Sequence, residues 1–438
     1  MIRRLRRVGV PTFKPKARKQ RPKRPFLARH RASLEVANPG AAVPVAASPA
    51  RAFLYTATGD PRMQIRAAVL YQQGKPRPYA DSTPLVIETV ELDPPGADEV
   101  LMEVRAAGLC HSDLSSIEGV RRRALPMVIG HEAAGIVRDV GAKVSEVVPG
   151  QHVVTSFVSP CGACRACRGG RPNLCETHWN ARNSGALLSG ERRLRLNGRY
   201  IHHGSGISAF AEYAVVSRHA VVPIDEEIPL DVAALFGCAV MTGVGAVMNT
   251  ADVPAGASTA VIGLGGVGLN ALMAAVVRGA HPVIAIDFNA DKRDLAKTLG
   301  ATHLFDAADT DAEEKIIELT RGGVDYAFEM AGAVAAMERA YRITRRGGVT
   351  VSAGLPHHAH ALCIPLASMV SNERTIKGSY MGSCTPRRDV PRYLAMFLDG
   401  QLPVDRLKSG EIGLDEINAG FDRLADGAVV RQILIPAK

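Results

Sequence analysis

The feature that most constrains the fold of this chain is Gly263-Leu264-Gly265-Gly266-Val267-Gly268, a G-x-G-x-x-G run. It follows the apolar stretch Thr259–Ile262 and opens the helix-like stretch Val267–Val277. Asp287 stands 19 residues after Gly268, at the end of the next strand-like run. That context marks the phosphate-binding corner of a dinucleotide fold. Gly263 would permit the tight turn, Gly265 would let backbone approach a pyrophosphate, and Gly268 would allow close helix–strand packing. Gly266 and Val267 complete the loop, whose helix N-terminus would face the phosphates. The carboxylate of Asp287 would accept from both ribose hydroxyls of NAD and repel the 2′-phosphate of NADP.

The surrounding sequence agrees. From about Met241 apolar runs alternate with helical stretches, giving six candidate strands: Ala260–Ile262, Val283–Asp287, His303–Phe305, Tyr326–Glu329, Val349–Ser352 and Thr375–Gly378. Strands at this spacing predict an α/β, doubly wound parallel sheet over residues 241–380. Before it, residues 63–240 carry short strand-like runs such as Leu85–Leu92, Val100–Arg105 and Val153–Phe157 between glycine turns, which predicts a β-rich domain. Residues 381–438 add a helix-like segment, Pro391–Asp399, and a final strand near Val430–Ile435.

The net charge of +10 suggests a nucleic-acid partner until its distribution is considered. Residues 1–62 hold 15 Lys/Arg, two acids and eight prolines, for a charge of +13; the remainder is −3. That basic leader lacks helical or strand periodicity and predicts disorder. It has no apolar signal core, and its prolines oppose the amphipathic helix of a mitochondrial presequence. The plainest reading is an over-extended start, with Met63 as the initiator. No run approaches the roughly 18 apolar residues a membrane span needs. We expect a cytoplasmic protein with no membrane and no nucleic-acid partner.

Eight cysteines are too few for a secreted disulfide scaffold, and six fall into two patterns. Cys161-x2-Cys164-x2-Cys167-x7-Cys175 can close a tetrahedral zinc site with no open position, which is structural chemistry. Cys110, His131 and Cys238 are dispersed, and their spacing alone does not distinguish ligands from packed core residues. Cys363 and Cys384 match no zinc ligand and are most simply core or surface residues.

Gly130-His131-Glu132-x2-Gly135, the four-cysteine loop and the glycine run, in that order and separation, resemble the zinc-dependent alcohol dehydrogenases of the medium-chain dehydrogenase/reductase superfamily. The resemblance covers essentially all of Met63–Lys438. Phe210-x-Glu212-Tyr213 after a longer loop is similar to the class III-like branch, which includes glutathione-dependent formaldehyde dehydrogenases. The resemblance implies a GroES-like catalytic domain, interrupted by a Rossmann domain and completed by the C-terminal segment. It also implies two zinc ions per subunit, NAD, a small alcohol or aldehyde substrate, and a homodimer or homotetramer. Cys110, His131 and Cys238 match the catalytic-zinc ligands; two thiolates and an imidazole would balance the metal's charge and leave a position for a substrate oxygen. Ser112 matches the hydroxyl that hydrogen-bonds that oxygen. Asp113 and Glu132 match positions that orient the ligands, while His111, Lys292 and Arg431 match contacts to the cofactor's phosphates and ribose. Many relatives carry a histidine five residues after the first zinc cysteine to end a proton relay; this chain has Ser115.

The implied reaction is hydride transfer between an alcohol and NAD. An S-(hydroxymethyl)glutathione or other thiol-adduct formaldehyde dehydrogenase is the alternative within that chemistry. A zinc-ribbon nucleic-acid binder is the alternative outside it, disfavoured because the positive charge leaves with residues 1–62.

Overall fold

The computed structural model describes residues 62–438; the expectations placed on residues 1–61 lie outside the described residues. Three sheets organise the chain. Two of them are built largely from antiparallel strands before residue 224. In the first, Met63–Leu70 pairs antiparallel along its whole length with Leu85–Leu92, and from Ala67 to Leu70 it is buried on both faces. In the second, Glu99–Gly108 is the central strand, flanked by Ala133–Val140, Tyr213–Ser217 and the final strand Arg431–Leu434. The last pairing, Ile433 opposite Gly108 and Leu434 opposite Ala107, brings the end of the chain back into this early sheet.

The third sheet is parallel throughout. Its strands Thr259–Ile262, Val283–Asp287, His303–Asp306, Val324–Glu329, Thr344–Ser352 and Thr375–Gly378 lie in the spatial order 3-2-1-4-5-6. This is the doubly wound dinucleotide-binding order. Thr259–Ile262 is buried along its length, as expected for a parallel strand covered on both faces.

Each predicted strand of this sheet lies within an observed one. The reading of residues up to 240 as strands and glycine turns needs correction at its end. Helical structure begins at Leu230 and runs with breaks to Ala251, through Leu230–Ala233, Ala234–Gly237, Ala239–Gly245 and Ala246–Ala251. Almost every residue from Ala233 to Met248 is buried, so no polar face reports a 3.6-residue period. This stretch packs against Gly266–Val277, and Gly243 makes the approach close: a Cβ there would lie 2.2 Å from the Val267 carbonyl oxygen. Among the described residues no single helix is long and apolar enough to cross a membrane.

Candidate active site

A cleft of about 500 Å³ is lined by residues of the β-rich part on one side and by the glycine loop on the other. The loop has the geometry that its residues predict. Gly263 has φ +89°, in the left-handed region. A Cβ on Gly268 would lie 1.8 Å from the Gly263 carbonyl oxygen, whereas one on Gly265 would meet nothing within 4 Å. The first contact shows why the turn can be so tight, and the second leaves backbone open towards a ligand. Asp287 closes the loop: its Oδ2 accepts from the Leu264 amide at 2.6 Å and its Oδ1 from the Asn289 amide at 2.9 Å. Lys292 follows in the helix Ala290–Thr298, and it and Asp287 line the cleft.

Arg431 is buried on the C-terminal strand and reaches the same loop. Its guanidinium donates to the Leu109 carbonyl at 3.1 Å and stands 3.7 Å from Glu132. Gly266 makes room for it, since a Cβ there would sit 1.9 Å from Arg431 Nε. Burial works against the charge on Arg431, but Glu132, Cys110 and Cys238 outweigh it and hold the group firmly protonated.

At the floor, Cys110, His131, Glu132 and Cys238 place one ligand atom each within 4.8 Å of one another. Cys110 precedes the helix His111–Ile117, His131 and Glu132 precede the strand Ala133–Val140, and Cys238 precedes the helix Ala239–Gly245. The cysteines and His131 are at most 6% exposed, and all eight cysteines are free. Asp113 faces His131 Nδ1 at 3.0 Å and also accepts from the Gly130 amide at 3.3 Å. That contact leaves Nε2 free to face the cysteines. Hydrogen bonding from Cys238 and from His131 draws the Cys110 thiol well below the ordinary thiol range despite burial. Burial pushes Glu132 up to about 7 against the pull of Arg431, and neither of its carboxylate oxygens has a hydrogen-bond partner.

Two buried, unbridged thiols, an oriented imidazole and an unsatisfied carboxylate suit a small divalent cation. In a tetrahedral zinc site, with Zn–S about 2.3 Å, sulfurs lie about 3.8 Å apart. Sequence motifs did not reveal Phe157, Tyr380, Arg121, Arg123 or Arg182, which line the remaining walls of the cleft. Phe157 packs edge-on to both His131 and Tyr380.

The second cysteine set lies in one loop. The sulfurs of Cys161, Cys164, Cys167 and Cys175 are within 4.8 Å of one another, with Cys164 and Cys175 at 3.9 Å. Neighbouring amides point at them: Cys164 N at Cys161 Sγ (3.3 Å), Cys167 N at Cys164 Sγ (3.5 Å), and Cys161 N and His178 N at Cys175 Sγ (3.3 and 3.4 Å). Such donors stabilise thiolates. The donor set therefore fits a closed, four-thiolate metal site. Cys384 is buried and Cys363 exposed, and neither belongs to either set.

Two family models match the chain: an alcohol dehydrogenase GroES-like domain over residues 96–226 and a zinc-binding dehydrogenase domain over residues 266–399. An NDMA-dependent alcohol dehydrogenase of Amycolatopsis methanolica is 39% identical over 378 residues, covering 85% of this chain and 99% of that protein. An S-(hydroxymethyl)glutathione dehydrogenase of Paracoccus denitrificans is 35% identical over 383 residues, covering 85% of this chain and all of its own. Among solved structures, the benzyl alcohol dehydrogenase of Acinetobacter calcoaceticus superposes with a TM-score of 0.79 at 30% identity, covering 85% of this chain and 99% of that one.

Proposed function

Since the chain belongs to the zinc-dependent alcohol dehydrogenases of the medium-chain superfamily, and is a zinc-dependent enzyme of alcohol oxidoreduction, we propose that it uses NAD rather than NADP and holds two zinc ions with different roles. The observation that carries the reading is the single cleft that brings Cys110, His131 and Cys238 together with the glycine loop and Asp287. When bound, a metal held there would supply Lewis-acid polarisation of a substrate oxygen and a nicotinamide would supply the hydride acceptor, for oxidation of an alcohol to an aldehyde or ketone with its hydroxyl proton released to solvent.

The chain's own residues set up this chemistry. Cys110, His131 and Cys238 hold the metal, and Asp113 fixes the His131 tautomer by accepting from Nδ1. Ser112 lines the cleft and would hydrogen-bond the substrate hydroxyl. Glu132 balances Arg431 beneath the metal ligands, while Arg431 and Lys292 contribute positive charge, and His111, whose charged form burial disfavours, contributes a ring N–H, where the cofactor's phosphates and ribose bind. Cys161, Cys164, Cys167 and Cys175 hold the second metal. The proposed division is a catalytic domain of 63–240 completed by 381–438, with 241–380 as the nucleotide domain. Clustered free thiols in metal-type sets support a reducing, cytoplasmic setting. Exposed Leu366, Val370 and Ile376 along the edge of the parallel sheet support self-association into a dimer or tetramer.

Oxidation of aliphatic and benzylic alcohols with NAD and with NADP, alongside metal analysis of the fresh protein, tests the proposal. We expect turnover with a preference for NAD, and two zinc ions per chain. Asp287→Gly should narrow the NAD preference about tenfold or more by removing both the ribose acceptor and the repulsion of a 2′-phosphate. A parent enzyme that already favours NADP would show that Asp287 does not set the choice.

A further inference from the structure

The cleft carries more positive charge than its chemistry uses. Arg431 and Lys292 belong to the cofactor side and act together on His111. A second group, Arg121, Arg123 and Arg182, lines the same cleft, and Arg182 disfavours the charge on the other two. Arg182 contacts Tyr380, whose ring packs on Phe157 and through it on His131, and Arg123 contacts Ser116, so the group borders the metal set rather than the glycine loop.

None of these three guanidiniums has a carboxylate within ion-pair distance among the described residues. Arg182 is 9% exposed; it donates to Tyr380 OH at 2.6 Å, and its Nε has no partner. Arg123 Nε reaches only Ser116 Oγ at 3.4 Å. The acids on the cleft wall are already engaged, Asp113 with His131 and Gly130, and Asp287 with the amides of Leu264 and Asn289, while Glu132 at the floor faces Arg431 at 3.7 Å. Burial and mutual repulsion disfavour the charges on Arg121 and Arg123. With a divalent ion bound, two thiolates and an imidazole would carry no net charge and would offer these arginines no counter-charge. An arrangement this costly is satisfied when an anion enters.

We propose that Arg121, Arg123 and Arg182 form an anion subsite at the substrate end of the cleft, so that the preferred substrates are alcohols or aldehydes bearing a carboxylate or phosphate. This rests on the dehydrogenase reading above for the reaction, but not for the subsite itself. The planar guanidinium forks suit either oxyanion.

The chain's only tryptophan provides a readout that does not need turnover. Trp179 lies 5.8 Å from the Arg182 guanidinium and is half exposed. Arg121 and Arg123 are only partly buried, which makes them the residues to replace. With the zinc-loaded enzyme and NAD, kcat/KM should be about tenfold or more higher for 6-hydroxyhexanoate than for 1-hexanol, and for 4-(hydroxymethyl)benzoate than for benzyl alcohol. The advantage should fall as salt is added. In the Arg121→Gln/Arg123→Gln double variant it should shrink at least tenfold. An ω-hydroxyalkyl phosphate assayed beside the hydroxyalkanoate separates the two kinds of anion. Titration of Trp179 fluorescence with adipate and with inorganic phosphate should give a saturable change that the double variant loses.

Equal kcat/KM for charged and neutral alcohols would overturn the proposal, as would a fluorescence response unchanged in the double variant. If no alcohol is oxidised but Trp179 still reports arginine-dependent anion binding, the subsite stands and the dehydrogenase reading falls.

Discussion

The two cysteine sets differ in how they are made. The four-cysteine set lies within one short stretch, Cys161 to Cys175, and its sulfurs are held by backbone amides of that same loop. The set at the cleft floor takes Cys110, His131 and Cys238 from three distant stretches and depends on the whole fold to bring them together. The first is a local structure with partly exposed sulfurs; the second is a buried product of tertiary packing. A local site contributes stability to the loop that forms it, whereas a dispersed site draws on stability supplied by its surroundings. On the proposed reading function is thereby separated from folding, and single substitutions can test the separation.

The largest contrast is expected between Cys238→Ser and Cys164→Ser. Cys238→Ser should abolish alcohol turnover while leaving the melting temperature within a few degrees of the parent, because an open three-ligand site adds little to the fold. Cys164→Ser should cost about 3–5 kcal/mol or cause aggregation, since a closed four-thiolate site is folding free energy. Thermal melts and zinc counts on both proteins check this. Equal loss of stability in the two variants would break the comparison. The loop is not isolated from the cleft: Asn173 donates to the Tyr380 carbonyl at 3.0 Å, and Arg182 reaches the Tyr380 hydroxyl. Any activity lost by Cys164→Ser should therefore appear in KM as well as in the amount of folded enzyme.

A finer contrast concerns the groups just outside the ligands. Asp113 faces His131 Nδ1 at 3.0 Å, so Asp113→Asn should weaken metal retention or turnover about 10–100-fold, read as faster inactivation by a chelator and lower kcat. In the loop, Thr177 Oγ1 touches Cys161 Sγ at 3.3 Å, but backbone amides make most of the contacts to these sulfurs. Thr177→Val should change stability by no more than about 0.5 kcal/mol.

The same contrast explains what was legible in the sequence. The glycine run, Asp287 and the four-cysteine loop are local patterns, and the structure gives each the geometry their spacing implies. Cys110, His131 and Cys238 could be drawn together only through resemblance to a family, because their spacing has no local meaning. The role of Gly266 was hidden for a related reason: its missing side chain makes room for Arg431, a residue from the far end of the chain. Arg121, Arg123, Phe157, Arg182 and Tyr380 belong to irregular or short elements whose course follows no periodicity. The buried helices between Leu230 and Ala251 gave no amphipathic signal because they have no solvent face.

The smallest expected effect concerns a demand that only the cleft site faces. Alcohol oxidation at a buried centre must deliver a proton to solvent, whereas the four-cysteine loop exchanges nothing. Ser115 stands where a relay would end in histidine, but its hydroxyl donates to the His111 carbonyl at 2.9 Å, an i to i−4 bond that turns it back onto its own helix. It neither titrates near neutrality nor points along a chain of donors. The proton must therefore leave through water, buffer or His111, which lines the same cleft. Below about pH 7 a histidine at this position, with an ordinary pKa near 6.5, still accepts protons that serine cannot hold. Ser115→His should accordingly raise kcat for alcohol oxidation a few-fold, on the order of threefold, in weak buffer at pH 6–7. The gain should disappear in concentrated buffer, where an external base replaces the missing one. Profiles of kcat against pH for both proteins, at several buffer concentrations, measure this. Superimposable profiles with no buffer effect would mean that hydride transfer or cofactor release limits turnover, or that His111 already carries the proton out, and the cleft site would then need no residue beyond those that surround its ligands.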